Sequence, residues 1–521
     1  MRILGLKIRR FKNLKDFEIT FEAKEAINVL LGRNGSAKSN MIEALVHIFG
    51  DLESKSLPKF DYWLQYTCRT KTIEIDARFT NPNEISVKTS DGPLSYNQFV
   101  EGKSGNYLPS HVFVYYSGTS RRLEKLFENS VESYRRELHR NQERPLRRMF
   151  FTRGEHSPLI LFCFLADEDP WSMRFLRRRF CIDDVCSVRI HLKQSERRRY
   201  LNRRAFLRGE SRFWLTTGRL EEALETIYAT GIPLRNFAST KRDNELEDLY
   251  IFFPNRKALT SLRKEYQREK DLFQALDDLY VDGFLQNMRF RLRLVGETNP
   301  IEFSELSEGE QQLISVIGLL RFTKDQESLF LLDEPDTHLN PLWGMEYQEM
   351  LSEAMTGEKT SQIIMATHDP MVVSGLLKKS VRVMKRTESK SGRKIVAPPP
   401  DEDPRGMGIG RILTSDMFGL RSILDTKTQD LLDKKRELLA KRKLTKSDLS
   451  KLDDYNEKLR GIDVTMLVTD PLYPLFVENM VKHPDYDRIR KIADDVRRMD
   501  EERVLAHNVG TKLISSLGKL R

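Results

Sequence analysis

The stretch Gly32-Arg33-Asn34-Gly35-Ser36-Ala37-Lys38-Ser39-Asn40 carries the most specific chemistry in the sequence. Gly32, Lys38 and Ser39 fit the spacing G-x-x-x-x-G-K-[ST] of a phosphate-cradling loop. In such a loop backbone N–H groups point inward at phosphate oxygens, and a helix N-terminus behind them adds a favourable dipole. Lys38 then reaches the β- and γ-phosphates, and the Ser39 hydroxyl ligates Mg²⁺. One position departs from the pattern. Ala37 stands where the second glycine belongs, and its methyl group crowds a backbone that must approach phosphate and narrows its φ range. Binding is compatible with alanine there if the residue takes helical dihedrals, with turnover weakened.

Further segments follow in a fixed order. LSEGEQQ spans Leu306–Gln312, SLFLLDEPD spans Ser328–Asp336, THLNP runs from Thr337 to Pro341, and MATHDP spans Met365–Pro370. With the loop, this order resembles the ABC-type ATPases, and more closely their SMC-like relatives, over about 1–118 and 286–385. The resemblance implies ATP and Mg²⁺ as ligands. Asp333 looks like the acid that holds Mg²⁺ through water, and Glu334 like the general base for the attacking water. His368 is similar to the switch histidine that touches the γ-phosphate. Ser307, Glu308, Gly309 and Glu310 resemble the signature that caps the nucleotide of a second subunit, with Glu308 and Glu310 departing from its usual glycine and glutamine. Ser307 and Glu310 alone also form a capping box. The implied site is composite and needs two chains, a homodimer or higher oligomer. A glutamine-loop residue is expected between loop and signature, and Gln65 and Gln98 are the candidates.

These residues must be held by strands and helices. ILGLKIRRF and FEITF alternate as half-buried strands of an antiparallel hairpin. AINVLLG reads as a buried parallel strand, and NMIEALVHIFG as a helix that stops at Gly50. TIEIDARF, EISVKT and HVFVYYSG are further strands. From about 119 to 285 the sequence is charge-rich and poor in glycine and proline, which predicts mostly helices, with SPLILFCFLADED a buried one. FRLRLV returns to strand. A helix from about Gly309, the strand SLFLLD, a helical segment and the strand QIIMAT then make a βαβ unit with a parallel sheet. VAPPPDEDPRGMGIG is a linker or extended connection by composition. Beyond it, two helices with leucine pairs at seven-residue spacing form a hairpin, the second started by Thr445 and Asp448.

The expected fold is therefore α/β: an ABC-type P-loop ATPase head with a mostly helical insert and a C-terminal helical hairpin appendage. Its parts are an N-terminal lobe at 1–118, a helical, Arg-rich insert at 119–285, a C-terminal lobe at 286–395, and a linker with helical appendage at 396–521.

The 521 residues are 39% apolar and 31% charged, too apolar for disorder. No run of 18 apolar residues predicts a membrane-spanning helix. The four cysteines form neither a disulfide framework nor a zinc site, and the expected location is cytoplasmic. The net charge is +10, and 172–212 alone holds 13 basic and 4 acidic residues. That density suits nucleic-acid contact, or a solvated face neutralised from elsewhere.

The insert lacks sustained heptads, which excludes a long coiled-coil rod. DEPDTHLNP, LPSHVFVYYSG, FFTRGEHSPLILF and ILTSDMFGL with its helical hairpin resemble the ATPase subunit of Septu-type antiphage systems, found also beside retron reverse transcriptases. That resemblance implies an HNH nuclease as partner, and a retron reverse transcriptase with its nucleic acid as another. A Toprim nuclease domain is not expected: Asp463 and Asp470 stand alone, and Asp401 and Asp403 lie in the proline-rich linker. Two other functions fit the motifs: a nucleotide-gated scaffold with little hydrolysis, and a DNA-repair or chromosome-maintenance ATPase acting directly on DNA.

Overall fold

A computed structural model describes residues 1–79, 85–101, 107–118, 121–138, 147–152, 154–193, 213–214, 216–235, 248–323, 327–356, 360–389, 392–439, 445–460, 476, 479–480, 482–490, 501 and 504–513. The chain forms two compact units, Met1–Leu420 and Arg421–Arg521.

In the first unit the strands are, in order, β1 (Arg2–Phe11), β2 (Leu14–Thr20), β3 (Ile27–Leu31), β4 (Tyr62–Cys68), β5 (Lys71–Ala77), β6 (Ser86–Thr89), β7 (Gly92–Leu94), β8 (His111–Tyr116) and β9 (Met149–Thr152). Then come β10 (Ile182–Leu192), β11 (Ile232–Arg235), β12 (Leu249–Phe253), β13 (Leu285–Leu294), β14 (Ile301–Glu302), β15 (Ser328–Asp333), β16 (Gln362–Thr367), β17 (Val381–Val383), β18 (Lys385–Ser389) and β19 (Gly392–Val396). They build an antiparallel sheet β2-β1-β4-β5-β6-β7, a parallel sheet β17-β3-β16-β15-β8-β9, a second antiparallel sheet β11-β12-β10-β13-β14, and the hairpin β18-β19.

The parallel sheet joins the two ends of the motif-bearing sequence. β3 lies between β17 and β16, and β15 between β16 and β8. Every residue of β3, β15 and β16 is buried, as expected of parallel strands covered on both faces. Alternate residues serve two cores. Leu30, Val112, Leu331 and Ile364 pack with the first antiparallel sheet and the helix Lys38–Glu53. Val29, Phe113, Phe330 and Ile363 face the helices of the insert and C-terminal lobe.

The hairpin β1-β2 and the parallel βαβ unit match the sequence reading. The first helix does not stop at Gly50. It runs to Glu53, because Ser54 caps it through N–H and hydroxyl bonds to the Gly50 carbonyl. The helix Ser157–Ala166 is buried except at Pro158. The stretch 119–285 holds mostly helix among its described residues, but it also contributes β9, β10, β11 and β12.

The proline-rich stretch after β19 is tied down within the first unit. Val383 N–H bonds to Pro398 O, and Lys378 N–H to Asp403. In the second unit the helices Thr426–Leu439 and Lys446–Arg460 are present, with Thr445 and Asp448 in reciprocal capping bonds. Asp463 and Asp470 lie outside the described residues. No described helix is long and apolar enough to cross a membrane.

Candidate functional site

Strand adjacency assembles the motifs. Register places Asp333 between Ala366 of β16 and Tyr116 of β8, and Thr367 beside Leu31. The loop after β3, the residues after β15 and those after β16 therefore leave the same carboxyl edge, where ligands bind in open α/β sheets.

The loop 32–40 is tightly made. Gly35 has φ +77°, and a Cβ on Gly32 would press within 2.6 Å of Met384 O. Lys38 is buried and donates to Gly32 O at 2.6 Å. Burial depresses its pKa, while Glu334, Asp333 and Asp336 act in the opposite direction. Arg386 of β18 donates to Gly35 O, and Asn40 bonds to Asn13 at 2.6 Å. Ala37 does not take the right-handed helical dihedrals that the sequence reading sets as the condition for binding with alanine there. It sits at φ 76°, ψ 17°, in the left-handed conformation that glycine usually supplies. The loop geometry overrides the alanine preference, so the backbone path survives and the strain is retained.

Asp333 is fully buried, and neither carboxylate oxygen has a hydrogen-bond partner of good geometry. Burial pushes its pKa up to about 6; nearby Glu334 adds to this, while the Ser39 hydroxyl and Lys38 oppose it. Unpartnered carboxylate oxygens beside a hydroxyl are hard donors that fit Mg²⁺.

Glu334 follows at φ 53°, and its N–H bonds to Ala366 O at 2.8 Å. His368 Nδ1 lies 3.2 Å from Glu334 Oε1, and both side chains are partly open to solvent. This pair can hold a water and take its proton. Thr367 donates to Asp336 at 2.6 Å, and burial raises Asp336 to about 6.

The signature residues open the helix Glu308–Thr323. Ser307 and Glu310 make the capping box, with Ser307 Oγ 2.8 Å from the Glu310 carboxylate and Glu310 N–H bonded to Ser307 Oγ. Glu308 is exposed and lies 3.7 Å from His338. Gly309 is packed on the segment after β15, where a Cβ would meet His338 O at 2.3 Å. Among the described residues, no hydrogen bond or ion pair joins Ser307–Glu310 to the loop 32–40, Glu334 or His368.

Neither glutamine candidate belongs to this edge. Gln65 sits in β4 opposite Gly5 and Glu74, and Gln98 caps the short helix Tyr96–Glu101 by bonding to Ser95. The residue that arrives beside Asp333 is Ser117, whose N–H bonds to Asp333 O and whose hydroxyl lies 3.2 Å from Thr337. Ser117 and Asp336 lie in the segments HVFVYYSG and SLFLLDEPD, but neither was singled out there. Another such residue is buried Glu43, which pairs with Lys12 and, at 2.9 Å, with Arg122.

The basic stretch divides. Arg177, Arg178 and Arg179 lean on Asp183, Glu353 and Glu346, so this end is neutralised within the fold. Residues 194–212 lie outside the described residues.

Residues 2–391 match the family described as the RecF/RecN/SMC N terminal domain. Over 175 residues the chain is 27% identical to the Septu protein PtuA of Bacillus mycoides (strain KBAB4), a match taking in 32% of this chain and 24% of that protein. The chain thus spans about a quarter of that relative's length. Among solved structures, the SMC head domain from Thermotoga maritima is 14% identical, with 76% of this chain and 99% of that one covered and a TM-score of 0.31. The recombination mediator protein RecF with ATP is 15% identical over 71% of this chain and 92% of that one, with a TM-score of 0.25.

Proposed function

The chain belongs to the RecF/RecN/SMC N-terminal domain family, and from that premise we propose that it is a Mg²⁺-dependent ATPase. Two copies close around ATP, and the closure controls a partner effector in prokaryotic antiphage defence. In this reading the loop Gly32–Asn40 holds the triphosphate, with Lys38 on the β- and γ-phosphates. Ser39 and Asp333 hold Mg²⁺, which supplies charge neutralisation on the phosphate oxygens. Glu334 takes the proton of the attacking water, and His368 orients that carboxylate. Ser307 and Gly309 of one copy cap the nucleotide of the other.

The observation that carries the reading is the meeting of buried Lys38, unpartnered Asp333 and the Glu334–His368 pair at one sheet edge. The likeness to the Septu protein PtuA supports the defence role; an HNH nuclease and a retron reverse transcriptase are the partners that the sequence resemblance implies.

Phosphate release by Glu334→Gln tests it. The rate should fall by about 100-fold or more while ATP binding persists. An unchanged rate would contradict hydrolysis through Glu334. It would favour a second reading, a nucleotide-gated scaffold with little turnover, for which the strained Ala37 is the supporting observation.

A further inference from the structure

The second antiparallel sheet buries one face and leaves the other partly exposed, its central residues Arg189, His191, Tyr250 and Phe252 half-buried. On β13, Met288, Phe290 and Leu292 are buried, whereas Arg289, Arg291 and Arg293 alternate with them and are exposed. Register extends that outer face across the neighbouring strands. Arg289 stands opposite Arg189, Arg189 opposite Phe252, and Phe252 opposite Ile232. The next row is Asn287, His191, Tyr250 and Leu234. One half of the face is thus basic and the other aromatic and apolar, with Ile232 49% and Leu234 44% exposed.

The charges are not arranged for stability. Like charges directly opposite across strands are destabilising, yet Arg189 and Arg289 form such a pair. Among the described residues, neither they nor Arg291 has an acidic partner. Arg291 faces Glu302, but that carboxylate accepts the Glu305 backbone N–H instead. Arg189 Nε is buried without a hydrogen-bond partner, and its guanidinium lies 5.5 Å from the Tyr250 ring centre. His191 stacks on Tyr250 at 4.5 Å and 14° while its Nε2 is 2.9 Å from Asp248. The carboxylates of this region, Asp183, Asp184 and Asp248, are all engaged by arginine or histidine.

We propose that this outer face of β11-β12-β10-β13 binds single-stranded DNA, with bases stacked on Tyr250 and Phe252 and phosphates held by Arg189, Arg289 and Arg291. Aromatic rings beside unpaired guanidiniums are the two components that single strands need, a stacking platform and a cationic track. DNA and RNA differ here only in the 2′-hydroxyl, and the oligo(rU) comparison below separates the two.

Fluorescence anisotropy of a labelled oligo(dT) of about 20 nucleotides, without ATP and across a salt series, tests the assignment. The double variant Arg289→Gln/Arg291→Gln should bind more weakly, with a log K against log salt slope shallower by about 1.4. Tyr250→Ala should weaken binding about tenfold and leave the slope unchanged. Arg9→Gln/Arg78→Gln, with the same charge change on the first antiparallel sheet, should bind as the parent does. Thermal melting checks that each variant is folded. The proposal is overturned if the β13 double variant keeps the parental affinity and slope. Equal weakening by the control pair, or tighter binding of oligo(rU), duplex DNA or anionic vesicles than of oligo(dT), overturns it as well.

Discussion

At Ala37 a methyl group sits on a backbone with φ 76°, where L-residues are disfavoured by roughly 1–2 kcal/mol. Ala37→Gly should therefore raise stability by about 1 kcal/mol after the entropy that glycine adds to the unfolded chain. Thermal melting checks this, and a lowered midpoint would mean the loop does not hold Ala37 as described. His47 gives a pH-dependent counterpart. Burial and neighbouring Lys59 depress its pKa from 6.5 to about 4. A histidine depressed on folding contributes stability above pH 6.5 that is lost as pH falls toward 4. Allowing for solvent screening of a partly exposed ring, the loss should be about 1–2 kcal/mol. His47→Gln should narrow the gap in melting temperature between pH 7 and pH 4.5, and an unchanged gap would exclude His47 as its source. The meeting of the loop 32–40, Asp333, Glu334 and His368 at one sheet edge was legible because each lies in a contiguous motif at the end of an apolar strand. Ser117 and Asp336 lie in such segments too but drew no role from them, because their contacts arise only when β8, β15 and β16 become neighbours.

Among the elements, the signature-bearing helix Glu308–Thr323 depends on the apolar helix Ser157–Ala166. A Cβ on Gly318 would come within 2.0 Å of Ile160 Cγ2, so the two helices meet at a glycine. Gly318→Val should cost about 2 kcal/mol or more through overpacking. Denaturant unfolding measures this; a neutral result would show that the helices separate easily. FFTRGEHSPLILF, whose role the sequence left open, thus supplies a surface against which the helix Glu308–Thr323 packs at Gly318. The strand β10 escaped sequence reading for a definite reason. Register shifts interrupt β10 between Ile182 and Asp184, between Val185 and Ser187, and between His191 and Leu192. Each bulge breaks the two-residue period by which strands are recognised. β13 has regular alternation and was legible. The end of the first helix was misplaced because Gly50 lies within the helix, where the Ser54 bonds continue it for one more turn.

The first compact unit is organised around a parallel sheet whose strands come from distant parts of the chain. β3 comes before the insert, β15 and β16 after it, and their side chains alternate between two cores. That architecture fixes the loop, the acid pair and His368 relative to one another, while Ser307 and Gly309 are presented on a separate helix start. A composite site predicts that defects on its two sides complement each other between copies. In the proposed site Lys38→Ala would remove the phosphate contact and Ser307→Arg would block the signature, so each variant alone should release little phosphate. In a mixture, a mixed dimer pairs an intact loop from one copy with an intact signature from the other. The most direct measurement is phosphate release from the two purified variants, separately and combined. Restored release well above the sum of the separate rates is the predicted result. A combined rate equal to that sum would contradict a nucleotide site shared between copies.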